Sequence, residues 1–280
     1  MYATLVVSAL ALAGGAALAQ SADPAMHAVV TYFHVTPEHE GPYVEHVKNV
    51  SRKFYQELMA QPGSKLVYWD LARIVFPGDE PAAANFAAAT LWEGVPRDPG
   101  ELPPDDLFRK ASGLSRDEYM KKLRGMRTTA GSTIYRNVAM VSASRDAKEF
   151  YRVITQVRRT PKRMADWVEM ERTIWRPLAS QRVKDGLLRG WSSWTAVFPF
   201  GMDASHDAIE VTTHHSFEQA VQGWTGGNFA EYFAKVHPKM NIVTAVDRTR
   251  ETRTIKRGTI WRVLVSEAKP GWNGPPASGE

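Results

Sequence analysis

Two alternating stretches, "HAVVTYFHV" at 27–35 and "EFYRVITQV" at 149–157, carry polar side chains where an apolar pattern does not require them. Tyr32 and His34 share a face in the first; Gln156 and Arg158 hold the matching positions in the second. An imidazole beside a guanidinium has a definite chemistry. His34 can act as a general base while Arg158 stabilises a developing enolate or phenolate, with Tyr32 and Gln156 orienting the substrate. The same four groups could instead bond to one another or to water at an open strand end.

The other reactive side chains are more scattered. His214 and His215 invite a metal reading, but neighbours on a strand point to opposite faces and cannot chelate one ion from one side. A haem or metal role for His214, or for His34, would need distant help. His39 and His46 are expected to face solvent from a helix. Trp69 and Trp191 are either flat walls of a ligand pocket or core. Glu45 and Glu169 sit on helices expected outside any barrel, which sets them aside as an acid/base pair. Arg127 and Arg253 either tie a loop to carbonyls or a carboxylate, or build an anion site from two copies.

The elements that position these residues come from an internal duplication. "RTTAGSTIYR" at 127–136 reappears as "RTIKRGTIWR" at 253–262, and with that anchor the two halves align throughout. "VTPEHEGPYVE" (35–45) answers "RTPKRMADWVE" (159–169), and "YWDLARIVFP" (68–77) answers "GWSSWTAVFP" (190–199). Each half opens with a β-branched and aromatic strand, followed by Thr-Pro as helix cap and first helical residue. Tyr43, Val47, Val50 and Phe54, and then Trp167, Ile174 and Leu178, are spaced for one helical face. Pro177 should kink or end the second of these helices. Two strands follow in each half, near 65–76 with 85–92 and 187–198 with 207–215. A helix then opens on a capping box, Ser115 with Glu118 or Asn228 with Glu231, and a last strand closes the unit.

Strand, helix, strand, strand, helix, strand, written twice, gives an α+β fold of two tandem ferredoxin-like βαββαβ units. The expected organisation is a secretory signal at 1–19, a first unit at 25–145, a second at 146–267 and a disordered tail at 268–280. The signal reading rests on the apolar "LVVSALALA" followed by Ala17-Leu18-Ala19, a core too short to span a bilayer.

The tandem arrangement resembles the dimeric α/β-barrel superfamily in its fused form, where one chain forms an intramolecular, pseudo-dimeric barrel. "TPKRMADWVEMERTIWRPLASQRVKDGLLRGWSSWTAVFP" is also similar to a group of exported bacterial proteins, through an acidic residue, Trp-x-Pro, a basic residue, a Gly and a Trp before Phe-Pro. That superfamily contains haem enzymes such as dye-decolourising peroxidases and chlorite dismutases, and also cofactor-free monooxygenases and lyases. The resemblance therefore implies a range of chemistries. The GxxDG run of dye-decolourising peroxidases is not found here, which lowers the haem reading.

Composition narrows the partners. The 280 residues include no Cys and carry a formal net charge of +5, so an exported form folds without disulfides or thiolate metal sites. Basic runs at 121–127, 158–163 and 248–257 suit anionic company. Export argues against nucleic acid. The expectation is a periplasmic or secreted protein, monomer or homodimer, without a transmembrane segment. It binds a small apolar or aromatic ligand, with anionic character allowed, in a barrel cavity lined by Tyr32, Gln156, Trp69, Trp191, Arg127 and Arg253. No cofactor is expected. The alternatives are a cofactor-independent enzyme of the proton-transfer, lyase or monooxygenase type using His34 and Arg158, a haem-binding barrel, and a surface that binds polyanions.

Overall fold

Every strand expected from the alternation forms. A computed structural model describes residues 25–77, 84–98, 103–141, 149–199, 204–223 and 228–272. The signal at 1–19 and the inter-unit linker at 142–148 lie outside the described residues. The first half contributes β1 (Met26–His34), β2 (Leu66–Phe76), β3 (Phe86–Glu93) and β4 (Thr128–Val141). The second contributes β5 (Phe150–Arg159), β6 (Gly190–Phe198), β7 (Ala208–His214) and β8 (Arg253–Ala268).

All neighbours pair antiparallel, in the order β4-β1-β3-β2 within one half and β8-β5-β7-β6 within the other. The edge strand β2 then pairs with β8, and β4 with β6, so two open sheets close into one eight-stranded barrel. Each half thereby covers the unpaired N–H and C=O groups at both edges of the other.

Alternation sorts the core into two layers. Ala28, Val30, Ala87, Ala89, Ile154, Trp194, Ile209 and Trp261 fill the barrel interior. The small residues are on β1 and β3 and the large ones come from the second half, which leaves space beside them. Outside the first sheet, Phe33, Trp69, Leu71 and Phe86 pack under helices α1 (Pro37–His46), α2 (Arg52–Ala60), α3 (Asp105–Ser112) and α4 (Arg116–Arg124). Tyr55 stacks on Trp69 at 4.5 Å and Phe54 on Phe108 at 4.6 Å, contacts worth about 0.5–1.5 kcal/mol each beyond burial. Outside the second sheet are α5 (Met164–Met170), α6 (Arg176–Lys184), α7 (Phe217–Gln222), α8 (Phe229–Val236) and α9 (Ile242–Thr252). The apolar packing there divides into smaller separate clusters.

Several local expectations are corrected. Helices α3, α7 and α9 occupy stretches read as loop or left unread. For α3 the signals were present: Asp105 and Asp106 favour the helix N-terminus and Gly113, at φ 73°, takes the left-handed stop. The Ser115–Glu118 capping box forms, whereas Asn228 makes no side-chain cap, and the hydroxyls of Thr36 and Thr160 bond elsewhere. Pro177 does not end its helix. A π turn at Glu171–Trp175 precedes it, so Pro177 stands at the start of α6, where a missing N–H costs little. The first half has an equivalent π turn at Val47–Ser51 without any proline, so the turn belongs to the duplicated unit.

His46 is buried, 6% exposed, with its ring 5.6 Å from that of Tyr119, because it lies one helical turn from the buried Tyr43 on the inward face. The described start of the expected tail is also docked: the Lys269 backbone N–H donates to Val67 O at 2.9 Å and its ammonium to Ser64 O at 2.7 Å.

Candidate functional site

The barrel interior is open at both ends, and a plug divides it. Tyr32 and Trp261 meet edge to face at 5.9 Å near its middle. On one side lies a cavity of about 390 Å³, within the range of small-molecule sites. Its walls are Ala28, Val30, Leu91, Ile154, Trp194 and Trp261 with Trp272 at the outer end, and its polar groups converge from β2 and β5.

That polar group is a buried triad. Arg152 Nη1 lies 2.6 Å from Asp70 Oδ2, and Arg152 Nη2 donates to the Tyr68 hydroxyl at 3.0 Å. Asp70 is fully buried and the Arg152 side chain is 15% exposed. Burial alone would lower the Arg152 pKa, but the facing Asp70 and Tyr68 outweigh it and hold the guanidinium charged. Burial pushes the Tyr68 hydroxyl well above the usual phenol range, with Asp70 adding to the effect, so Tyr68 stays a neutral donor and acceptor. Arg189 lies over the Phe150 ring at 4.5 Å on the same wall. The pair of Arg52 and Glu267 marks the rim.

None of Tyr68, Asp70 and Arg152 was singled out from the sequence. The signal was available, since at these positions the copies differ: Gly190, Ser192 and Ala28 stand in the matching places. A charged residue inside "LVYWDLARIVF" also interrupts an apolar run that nothing else explains.

The opposite end gathers most of the expected site. Tyr32, His34 and Gln156 line one cavity of about 410 Å³ with Arg73 and Arg257. His34 is exposed at its mouth. Arg158 is not among the lining residues; its charge falls on His206 instead. The catalytic pairing of His34 with Arg158 is therefore not assembled in one cavity, because a bulge between Gln156 and Val157 shifts the strand register. A hydrogen-bond chain missed by the sequence reading starts here. Tyr32 lies beside Tyr135, whose hydroxyl is 2.8 Å from His206 Nε2, and His206 Nδ1 is 2.9 Å from Ser205 Oγ. Burial raises Tyr32 to about 12 and lowers His206, which leaves this chain uncharged at neutral pH.

The remaining candidates lie outside the barrel wall. Trp69, 2% exposed, stacks on Tyr55 beneath α2 and lines no barrel cavity, so its placement is that of core. Trp191 packs with Ala139 and Ala179 under α6, reaching the barrel cavity only at its rim. Arg127 lies over the Phe33 ring at 3.6 Å and donates to the Tyr43 hydroxyl at 2.6 Å. Arg253 meets Glu210 at 2.7 Å and 3.0 Å. The two arginines are thus in separate halves, each engaged within its own, and do not build a joint anion site. Glu45 and Glu169 are exposed, as expected.

His214, 1% exposed, faces the outer layer with Nε2 held 2.8 Å from Thr212 Oγ1, and burial lowers its pKa to about 4. The 390 Å³ barrel cavity has no His or Cys among its described lining residues, so it offers an iron neither imidazole nor thiolate. No group of three His, Cys, Asp or Glu suited to a metal occurs among the described residues. The basic runs are also less available than their sequence suggests, since Arg159 pairs with Asp207, Arg163 with Asp166 and Glu251, and Arg250 with Asp247. No helix among the described residues is long and apolar enough to cross a membrane.

No family model and no curated protein matches the sequence. Solved structures do match in shape. A proposed monooxygenase of Fusobacterium nucleatum superposes with a TM-score of 0.56 at 9% identity, over 91% of this chain and 99% of that one. An anthrone oxidase-like protein gives 0.49 at 12% identity, over 92% and 98%. The chlorite dismutase-like protein TA0507 gives 0.44 at 12% identity, over 85% and 94%. With the strand order and closure above, this chain has the dimeric α+β barrel fold, both of its ferredoxin-like sheets drawn from one polypeptide.

Proposed function

We propose that the protein binds a small, largely aromatic ligand with a polar or anionic end in the 390 Å³ barrel cavity. The observation that carries this reading is the Tyr68–Arg152–Asp70 triad set into otherwise aromatic and aliphatic walls. A buried charged donor beside a neutral hydroxyl recognises a carboxylate, phenol or carbonyl oxygen, while Trp194, Trp261 and Trp272 supply flat apolar surface. The test is titration with 2-naphthoate, followed by tryptophan fluorescence. Wild type should show saturable quenching, and Ile154→Trp, which fills the cavity, should abolish it while the thermal midpoint is kept. Quenching unchanged in Ile154→Trp would place the ligand elsewhere.

A cofactor-independent enzyme is the second reading, favoured by the chain Tyr135–His206–Ser205 at the other barrel end, beside His34. Proton transfer or oxygen chemistry on such a ligand would use an uncharged His206 as the proton acceptor. The activity proposed for the Fusobacterium relative is of this type. Turnover lost in both His34→Ala and His206→Ala with folding intact would support it, and retained turnover would remove it. Export belongs to the same proposal: expressed with its first 19 residues, the protein should appear in the periplasmic fraction beginning at Gln20.

A further inference from the structure

The helical layer over the second sheet is hollow where the same layer over the first sheet is solid. Between the outer faces of β5, β7 and β8 and helices α8 and α9 lies a pocket of about 560 Å³. Glu171 opens the second π turn and Glu210 sits on β7; both reach this pocket, as does Arg253 from the start of β8. In the first half the π turn opens on Val47. Ala88 stands opposite Thr31 as Glu210 stands opposite Thr155. The first copy therefore has two apolar residues where the second has two carboxyls. The apolar version is packed shut by Phe54, Phe108 and Tyr119.

The hollow holds two carboxyls and one guanidinium. Arg253 makes a two-point pair with Glu210, with Nε 2.7 Å from Oε1 and Nη2 donating to Oε2 at 3.0 Å. That leaves Glu171 as a second carboxyl on one guanidinium. Its side chain is 1% exposed, and its Oε2 makes no hydrogen bond among the described residues. Trp175, Trp191 and Phe229 line the same pocket, and a ring face attracts a cation. Arg250 on α9 also borders the pocket, but its guanidinium is at the exposed rim beside Asp247.

We propose that this interlayer pocket is a second ligand site, separate from the barrel cavity, and that it takes a small organic ammonium with an aromatic body. The ammonium sits against Glu171 Oε2, and the body lies among Trp175, Trp191 and Phe229. Burial, followed by the charge of Glu210, holds the Glu171 carboxyl well above the usual carboxylate range, with Arg253 opposing both. In the empty site this favours the protonated form of Glu171. An entering ammonium supplies the missing counter-charge, so the proton leaves as the cation arrives: R–NH₃⁺ enters, one H⁺ is released to solvent, and the charge of the pocket is unchanged.

The experiment is calorimetric titration of the whole protein with benzylammonium chloride, using benzyl alcohol and benzoate as controls, in phosphate and in Tris at pH 6.5 and 7.5. We expect saturable benzylammonium binding accompanied by proton release. The affinity should rise from pH 6.5 to pH 7.5, with both controls at least tenfold weaker. Glu171→Gln, which keeps the shape of the protonated acid, should remove the proton release and weaken binding at least tenfold. Phe229→Ala, which leaves the carboxyl cluster in place, should weaken binding with the proton release retained. Ile154→Trp, which fills the barrel, should change nothing, so failure here is distinguishable from failure of the barrel-cavity reading. No benzylammonium binding at millimolar concentration, binding without proton release, or equal binding of benzyl alcohol overturns the proposal. If Glu171→Gln does not fold, Phe229→Ala decides, and undiminished affinity in that variant overturns it.

Discussion

His46 gives a pH dependence that can be worked out before any measurement. The imidazole is packed against Tyr119, neither ring nitrogen has a hydrogen-bond partner among the described residues, and burial lowers its pKa to about 4, with Lys122 and Arg127 acting in the same direction. In the unfolded chain the same group titrates near 6.5, at its ordinary value. The unfolded state therefore binds a proton that the folded state refuses. Stability is fully present above pH 6.5 and is lost as pH falls toward 4. At pH 5 the unfolded imidazole is almost wholly charged and the folded one almost wholly neutral, a difference of about 2 kcal/mol.

The perturbation is His46→Leu, which removes the titrating group and leaves an apolar side chain of similar size. Urea unfolding of wild type and variant at pH 7.5 and pH 5.0 cancels every other titrating group. Wild type should lose about 2 kcal/mol more than the variant over that interval. Losses equal to within about 0.5 kcal/mol would mean that water reaches the ring and that the burial argument fails.

Three further outcomes follow from the same geometry. Arg152→Met strands Asp70 in the barrel and should cost about 3–5 kcal/mol in urea unfolding, with most of the loss recovered in the double variant that adds Asp70→Asn. Trp69→Ala should cost about 3–5 kcal/mol yet leave 2-naphthoate affinity unchanged, because that indole faces the helices; an affinity loss would contradict the placement. Ending the chain after Pro270 removes Trp272 from the cavity end and should weaken 2-naphthoate at least fivefold, with the thermal midpoint moving by only a few degrees.

The architecture was legible because the chain states it twice. Once "RTTAGSTIYR" and "RTIKRGTIWR" are aligned, each strand of one half supports its counterpart, and a misread element in one copy is corrected by the other. Helix α9 has no counterpart in such an alignment, and α3 with its counterpart α7 went unread in both copies, although Asp105, Asp106 and Gly113 bracket the first of them. The site was legible by rule but not by position. Searching where the copies differ is sound physical reasoning, since a pocket must break the pattern that packing imposes. It was applied to Tyr32, His34, Gln156 and Arg158 at one strand end and not to Tyr68, Asp70 and Arg152 at the other. Glu171 was hidden for another reason: its partner Val47 fits a helical stripe, and a π turn shifts the face on which the next residues lie.

The paired edges have a consequence for symmetry. Where two identical chains close such a barrel, any substitution appears in both sheets, so a carboxyl placed under one helical layer is placed under the other. In this chain β2 still meets β8 and β4 still meets β6, but the two sheets are encoded separately. One copy can remain a solid support, stacked through Phe54, Phe108 and Tyr119, while its twin gives up packing to hold Glu171, Glu210 and Arg253. Fusion thus separates the load-carrying half from the variable half, and further change in the second can proceed without unmaking the fold that the first sustains.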